Sequence, residues 1–360
     1  MARRSPGRAA TPRGRSQDER AGASVERSGA DRSSARRSRA GGSRSAGERS
    51  AGSAPRGREW QSIEVLRGLL ATASTSHART RPLLGIGDDA AILAAPRGPT
   101  LVWTIDGSVE GVHFRRDWLS LQDVGWRATH AAVSDVAAMG ARPVAALCHL
   151  VLPSTLTAAE LKQLGRGQAA AAQELACPVI GGNVSSGPRL ELATTVLGEV
   201  PPRRVALTRG GARPGDELWL LGDVGLAAAG QRALQAGVSL RGLGACVAAW
   251  RRPHARVTDG LALQGRATAC IDVSDGLVGD AGHLARASGV ALVLEQERLG
   301  PVLVALAGAA RRLGRSALEL ALWGGEDYAL LATGPTSRRP AEARPIGKVE
   351  AGAGVWLETD

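Results

Sequence analysis

An α+β fold built from two comparable halves is predicted by three features of this sequence. Strand-like and helix-like stretches alternate along the chain, so helices are expected to pack on sheets. A run rich in Pro, Arg and Gly, Val200 to Gly215, interrupts that alternation near its middle and reads as a linker over 201–215. The remaining body of roughly 300 residues is large enough for two cores.

In order, the periodicity predicts a short amphipathic helix over Ile63 to Ala73, then strands Ala90 to Leu93 and Leu101 to Asp106. A long helix follows from Leu121 to Met139, stopped by Gly140 and Pro143. Val144 to Leu152 reads as a strand, Ala158 to Ala176 as a helix, and Pro178 to Gly181 and Leu190 to Val200 as strands. After the linker come strand Glu217 to Leu221, helices Leu226 to Ala236 and Val257 to Arg266, strand Ala269 to Val273 and helix Leu277 to Ala287. Strand Val290 to Leu294, helix Val302 to Leu313 and strands near Tyr328 to Ala332 and Val355 to Leu357 close the pattern. Domains are therefore expected over 59–200 and 216–360.

Residues 1–58 stand apart. They carry 15 of the 45 basic residues and 5 of the 34 acidic ones, so the body holds 30 basic against 29 acidic residues and is nearly neutral. The chain's net charge of +11 is thus a property of the tail, and the body shows no electrostatic footprint for nucleic acid. With Val25 as its one large aliphatic residue, this Arg/Ser/Gly-rich tail cannot offset its ordering entropy by burial and is expected to be disordered. Three readings compete for it: an upstream extension outside the working protein, a solvated arm, or a transit peptide. The first is favoured because the next Met is Met139, and Asp18, Glu19, Glu26, Asp31 and Glu48 argue against the third. No stretch is long and apolar enough to span a bilayer, and Cys148, Cys177, Cys246 and Cys270 show no metal or redox spacing, which points to a reducing, cytoplasmic setting.

The chemistry is carried by carboxylates inside or at the ends of apolar runs: Asp88, Asp89, Asp106, Asp135, Asp272, Asp275 and Glu326. A buried carboxylate without a partner costs several kcal/mol, on the order of a few per group, so this many imply a shared cation. Oxygen donors suit hard ions, Mg²⁺ above all, and Mg²⁺ implies phosphates. Gly85-Ile86-Gly87-Asp88-Asp89-Ala90 formally matches a dinucleotide fingerprint, but Pro96, Gly98 and Pro99 interrupt the helix it would open, and paired aspartates repel a pyrophosphate. It is better read as a metal-binding loop. Asp135 needs a partner on its apolar helix, either a metal or an arginine such as Arg127. Ser274 or Asp275 would serve as a helix N-cap, which leaves Asp272 at the strand end unexplained. The pairs Gly181-Gly182 and Gly324-Gly325 admit a close ligand or a bulge. There is no phosphate-binding Gly-Lys loop, and Lys162 and Lys348 are the only lysines, so nucleotide phosphates would fall to metals, arginines and backbone amides.

Taken in order, Gly87-Asp88-Asp89, Asp106 to Phe114 with its Val109-Glu110-Gly111-Val112-His113-Phe114 block, Ser134-Asp135, Gly181-Gly182-Asn183, Asp272 to Leu277 and Gly324 to Tyr328 resemble the thiamine-monophosphate kinase family, of the aminoimidazole ribonucleotide synthetase-like superfamily. The resemblance covers essentially all of Leu84 to Leu357. It implies a two-domain fold whose N-terminal sheet forms a barrel across a homodimer, with an α/β sandwich-like C-terminal domain. It implies ATP-dependent phosphorylation of thiamine monophosphate to thiamine diphosphate with several Mg²⁺ ions. By motif position, Asp89, Thr104, Asp106, Asp135, Asn183, Asp272 and Asp275 would hold metal. Gly182, Asn183, Arg209 and Ser274 would meet ATP, and His113 and Glu326 the thiamine phosphate. Three positions depart from the family pattern: Asn183 stands where Asp is more frequent, Ile105 where a second Thr is common, and the sequence ends at Asp360 where the family continues to an aromatic residue that packs on substrate. Another ATP-using member of the superfamily, or a degenerate nucleotide-binding protein, is the competing reading.

Overall fold

The computed structural model describes residues 82–84, 86–94 and 98–359, all of them within one unit, Gly52–Asp360. The tail and the helix expected over Ile63 to Ala73 lie outside the described residues. Two six-stranded sheets organise the rest. The first contains β1 (Pro82–Leu84), β2 (Ala91–Ala94), β3 (Thr100–Val109), β4 (Arg142–Leu152), β5 (Val179–Ser186) and β6 (Glu191–Glu199) in the order β1-β2-β3-β6-β4-β5. Its neighbours are antiparallel except for β4 with β5.

One face of this sheet is covered by α1 (Leu121–Ala138) and α2 (Ala158–Glu174). Ser120 caps α1, its hydroxyl accepting from Asp123 N at 3.1 Å, and Thr157 forms a capping box with Glu160 on α2. Val133 and Val136 of α1 pack with Val102 and Val196 beneath them, and Met139 closes the cluster. The row Thr104, Val196, Ala146 faces that core, whereas the next row, Ile105, Thr195, Leu147, faces outward.

Nearly all of α1 is buried, because α2 and α5 (Val257–Leu263) lie against it and its C-terminal half also reaches the strand Ala269–Val273 of the second sheet. Close approach requires glycine at the α1/α2 crossing. A Cβ on Gly167 would stand 1.9 Å from Gln122 O, and one on Gly125 2.2 Å from Leu164 O.

The second sheet contains β7 (Glu217–Leu221), β8 (Ala269–Val273), β9 (Ala291–Glu295), β10 (Ala329–Gly334), β11 (Arg344–Glu350) and β12 (Gly354–Glu358) in the order β12-β9-β11-β7-β10-β8. Leu218, Leu220, Ile271 and Leu331 face Leu284 of α6 (Leu277–Ser288), Leu306 of α7 (Gly300–Leu313) and Leu320 of α8 (Ala317–Trp323). Trp219, Leu221, Cys270 and Leu330 face the opposite way, against Leu263 and Ala138. Burial on both faces explains why β7, β8 and β10 read as continuous apolar runs.

Several expectations are corrected by pairing the sequence could not display. β5 continues past Gly181 to Ser186, because its parallel ladder with β4 passes through Gly182, where a Cβ would lie 1.8 Å from Cys148 O. β3 runs beyond Asp106 to Val109, held by β6 through Asp106↔Thr194 and Val109↔Glu191, so Asp106 lies within a strand and not at its end. Helix α5 stops at Leu263, short of Arg266, and α3 (Leu226–Gln235) is followed by an unforeseen α4 (Gly244–Arg251). Helix α8 and strand β11 were not expected either.

The α1/α2 crossing yields a direct test. Gly167→Leu should destabilise the protein by about 3 kcal/mol or more through overpacking, seen as a thermal midpoint several degrees lower, whereas Gly165→Leu, with nothing within 4 Å of a Cβ, should shift it little.

Candidate active site

Three carboxylates converge where the first half meets the second. Asp89 comes from the β1–β2 loop, Asp135 from α1 and Asp272 from the penultimate position of β8, and one ligand oxygen from each lies within 4.8 Å of the other two. Each is held by a donor that fixes its direction. Thr104 Oγ1 of β3 donates to Asp135 Oδ2 at 2.5 Å, and Ser134 Oγ of α1 donates to Asp272 Oδ2 at 2.7 Å. Asp89 Oδ1 accepts from Arg209 Nη2 at 2.5 Å and Nε at 3.2 Å, while its Oδ2 is buried without a hydrogen-bond partner.

Asp88 has a different task. Its Oδ1 accepts from Asp89 N at 2.9 Å and its Oδ2 from Arg209 N at 3.1 Å, so it shapes the loop and pins the backbone at Arg209. Asp106 is half-buried on β3, its Oδ1 accepting from Gly107 N at 2.8 Å. Asp275 is exposed in the turn after β8, and the backbone of that turn is held by a carboxylate sequence reading passed over. Buried Asp280 accepts through Oδ2 from Asp275 N at 3.0 Å and Gly276 N at 3.1 Å. Its spacing of five residues from Asp275, inside the first turn of α6, was the available signal.

The Gly324 to Tyr328 segment packs directly on this turn. Glu326 N donates to Ser274 O at 2.8 Å and Tyr328 N to Val273 O at 2.9 Å, and Gly325 has no room for a Cβ, which would stand 2.5 Å from Ser274 O. Glu326 and Tyr328 adopt φ of 70° and 52°, conformations that non-glycine residues hold only when surrounding contacts impose them. Those contacts are present. Glu326 Oε2 accepts from Tyr328 OH at 2.8 Å and pairs with Arg127 Nη2, and Arg127 Nη1 also donates to Trp250 O. Arg127 therefore serves Glu326 and not Asp135. Asp327 accepts from Gly225 N at 2.7 Å and Ala227 N at 3.1 Å, fixing the start of α3.

Two groups make their hydrogen bonds with partners other than these carboxylates. His113 is exposed, its Nδ1 accepting from Val109 N at 3.0 Å. Asn183 pairs through Nδ2 with His149 Nδ1 at 3.2 Å, and Asn183, His149, Ala193 and Gly107 form one cross-strand row. Three strand spacings put Asn183 and neighbouring Gly182 roughly 14 Å from β3.

Electrostatics sharpen the contrast. Burial raises the pKa of Asp89, Asp135 and Asp272, and the neighbouring carboxylates add to the effect in Asp89 and Asp135, while Arg209 opposes it at Asp89 and Asp272. Burial, then the charge of Glu326, pushes Asp106 up to about 7. One guanidinium offsets a group of three carboxylates, so the arrangement wants further positive charge. An all-oxygen donor set with an orphaned buried Asp89 Oδ2 fits Mg²⁺. His130, Glu174 and His254 also approach one another, but His130 Nδ1 accepts from Ala255 N at 3.1 Å, so its neutral ring carries the proton on Nε2 and offers no lone pair there. That group fastens the loop after α4 to α1 and α2.

Fold and site define a class. The N-terminal domain family of AIR synthase related proteins matches residues 87–200. Thiamine-monophosphate kinase of Aquifex aeolicus is 37% identical over 285 residues, covering 76% of this chain and 89% of that protein. Thiamine-monophosphate kinase of Mycobacterium tuberculosis is 37% identical over 274 residues, covering 74% and 79%. The solved structure of AaThiL complexed with AMPPCP and TMP superposes with a TM-score of 0.75 at 34% identity, over 83% of this chain and 93% of that one. The chain belongs to the thiamine-monophosphate kinase family, whose members are phosphotransferases.

Raised carboxylate pKa values set the pH dependence. A carboxyl group with its folded pKa above its unfolded value binds more protons in the folded state between the two, so the stability it contributes is present below about 4 and lost as pH rises through the folded value. Asp106 and Asp327, both pushed up to about 7, place that loss between pH 4 and 8. In EDTA the thermal midpoint should fall from pH 5 to pH 8, and millimolar Mg²⁺ should recover more of it at pH 8 than at pH 5.

Proposed function

We propose that this enzyme transfers the γ-phosphoryl group of ATP directly to the phosphate of thiamine monophosphate, giving thiamine diphosphate. The observation that carries the reading is the convergence of Asp89, Asp135 and Asp272 from both halves on one point, with an unpartnered Asp89 oxygen. Named thiamine-monophosphate kinases at 37% identity, and a related structure complexed with AMPPCP and TMP, support the substrate pair.

The acceptor is itself a phosphate with a second pKa near 6, about a unit below neutrality, so it is a nucleophile at physiological pH without a general base. The task is to bring two anions into line and neutralise them. Several bound Mg²⁺ ions would supply that neutralisation. Asp89, Asp106, Asp135, Asp272 and Asp275, with Thr104 and Asn183, are the proposed ligands. Arg209, Ser274, Gly182 and Asn183 would meet ATP, and His113 and Glu326 the thiamine phosphate. Thr104 and Ser134 orient Asp135 and Asp272, and Arg127 with Tyr328 orients Glu326.

A homodimer through the first sheet belongs to the same reading. Trp103, Ile105, Leu147 and Ile180 expose their side chains on its outer face, with Ile105 68% and Ile180 68% exposed. A second copy laid on that face would close a barrel and remove this apolar surface from water. The domains would span 59–200 and 216–360 about a 201–215 linker. A cytoplasmic setting agrees with four free buried cysteines, and among the described residues no helix is long and apolar enough to cross a membrane.

Full-length protein incubated with ATP, Mg²⁺ and thiamine monophosphate should form thiamine diphosphate, and EDTA should abolish it. Asp272→Asn and Asp135→Asn should lower kcat about 100-fold or more while retaining a cooperative melt; ATP binding without turnover by the unaltered protein would instead identify a degenerate nucleotide binder. Light scattering should give a dimer mass that Ile105→Asp combined with Leu147→Asp reduces to a monomer.

A further inference from the structure

The contact between Arg209 and Asp89 bears on how the carboxylate group selects its cation. The backbone of Arg209 is clamped on both sides. Its N donates to Asp88 Oδ2 at 3.1 Å and its O accepts from Ser288 Oγ at 2.9 Å. The preceding residues bridge the halves, Leu207 N donating to Met139 O at 3.0 Å and Thr208 O accepting from Cys270 N at 2.9 Å. Only the side chain can change partners. That side chain is 14% exposed and lays two of its nitrogens on Asp89 Oδ1, one of the three carboxylates that converge.

A guanidinium in this place supplies one fixed positive charge at contact distance from the group. A bare divalent cation approaching the same carboxylates meets that charge and is repelled by it. A cation arriving with a polyphosphate brings oxygens that accept a guanidinium fork at least as well as a carboxylate does. We propose that Arg209 makes the site selective for a metal–nucleotide complex over the bare metal, by neutralising Asp89 until nucleotide phosphates are present to take the guanidinium. The inference rests on the metal-site reading above and is independent of which phosphate is the acceptor.

The test is Mn²⁺ binding to the full-length protein, followed by calorimetry without nucleotide and again with AMPPCP. Arg209→Gln should bind Mn²⁺ about tenfold more tightly than the unaltered protein without nucleotide, as expected when one like charge is removed at contact distance in a partly buried site. The gain in Mn²⁺ affinity produced by AMPPCP should shrink in the same variant, because the two ligands are coupled through the arginine. Mn²⁺ should also raise the melting temperature of the variant more than that of the unaltered protein. Equal or weaker Mn²⁺ binding by Arg209→Gln would overturn the inference and make Arg209 a scaffold for Asp89. If that variant does not fold, Arg209→Met, which also removes the charge and keeps much of the aliphatic stem, carries the test: tighter Mn²⁺ binding supports the inference and equal or weaker binding overturns it. Absence of Mn²⁺ uptake by either protein, with AMPPCP or without, contradicts the metal site itself and the inference with it.

Discussion

Mutual repulsion among desolvated carboxylates is the constraint on which the rest of this structure turns. Asp89, Asp135 and Asp272 are brought together by a loop, a helix and a strand drawn from both halves of the fold. Holding them there takes a helix buried on nearly every side, since α1 must carry Asp135 toward Thr104 on the first sheet and Ser134 toward Asp272 on the second. The glycine contacts that let α2 press against α1 serve the same end. Rigid packing thus sets the spacing of charges that would otherwise move apart.

Around this centre each connecting segment is tied by a polar group used as a fastener. Asp88 holds the Arg209 backbone, Asp280 holds the turn after β8, and Asp327 holds the start of α3. Arg127 reaches from α1 to Glu326 and to the carbonyl of Trp250, linking the first half to two segments of the second. The strained backbone at Glu326 and Tyr328 is thereby maintained, and Glu326 is presented beside Asp106, whose pKa its charge helps to raise.

Much of this was legible because buried strands and isolated acids leave strong marks in sequence. β7 and β8 were bounded correctly, as both are short apolar runs between turn signals. The carboxylates stood out for the same reason, an acid inside an apolar run. The elements missed carry weak signals: α8 has seven residues, α4 lacks a side-chain N-cap, and β11 contains Pro345 and a register shift. The extension of β5 depends on a backbone approach at Gly182 that only the folded ladder reveals. Which arginine serves which acid was equally hidden, since Arg127 pairs across 199 positions and Arg209 across 120.

Whether the three carboxylates jointly hold metal against nucleotide is answered most directly by anomalous diffraction from crystals of the full-length protein grown with Mn²⁺ and AMPPCP. The account predicts an anomalous peak at coordination distance, roughly 2.1 Å, from oxygens of Asp89, Asp135 and Asp272. A nucleotide-bound crystal without manganese at those oxygens, their carboxylates still satisfied by protein donors alone, would contradict it.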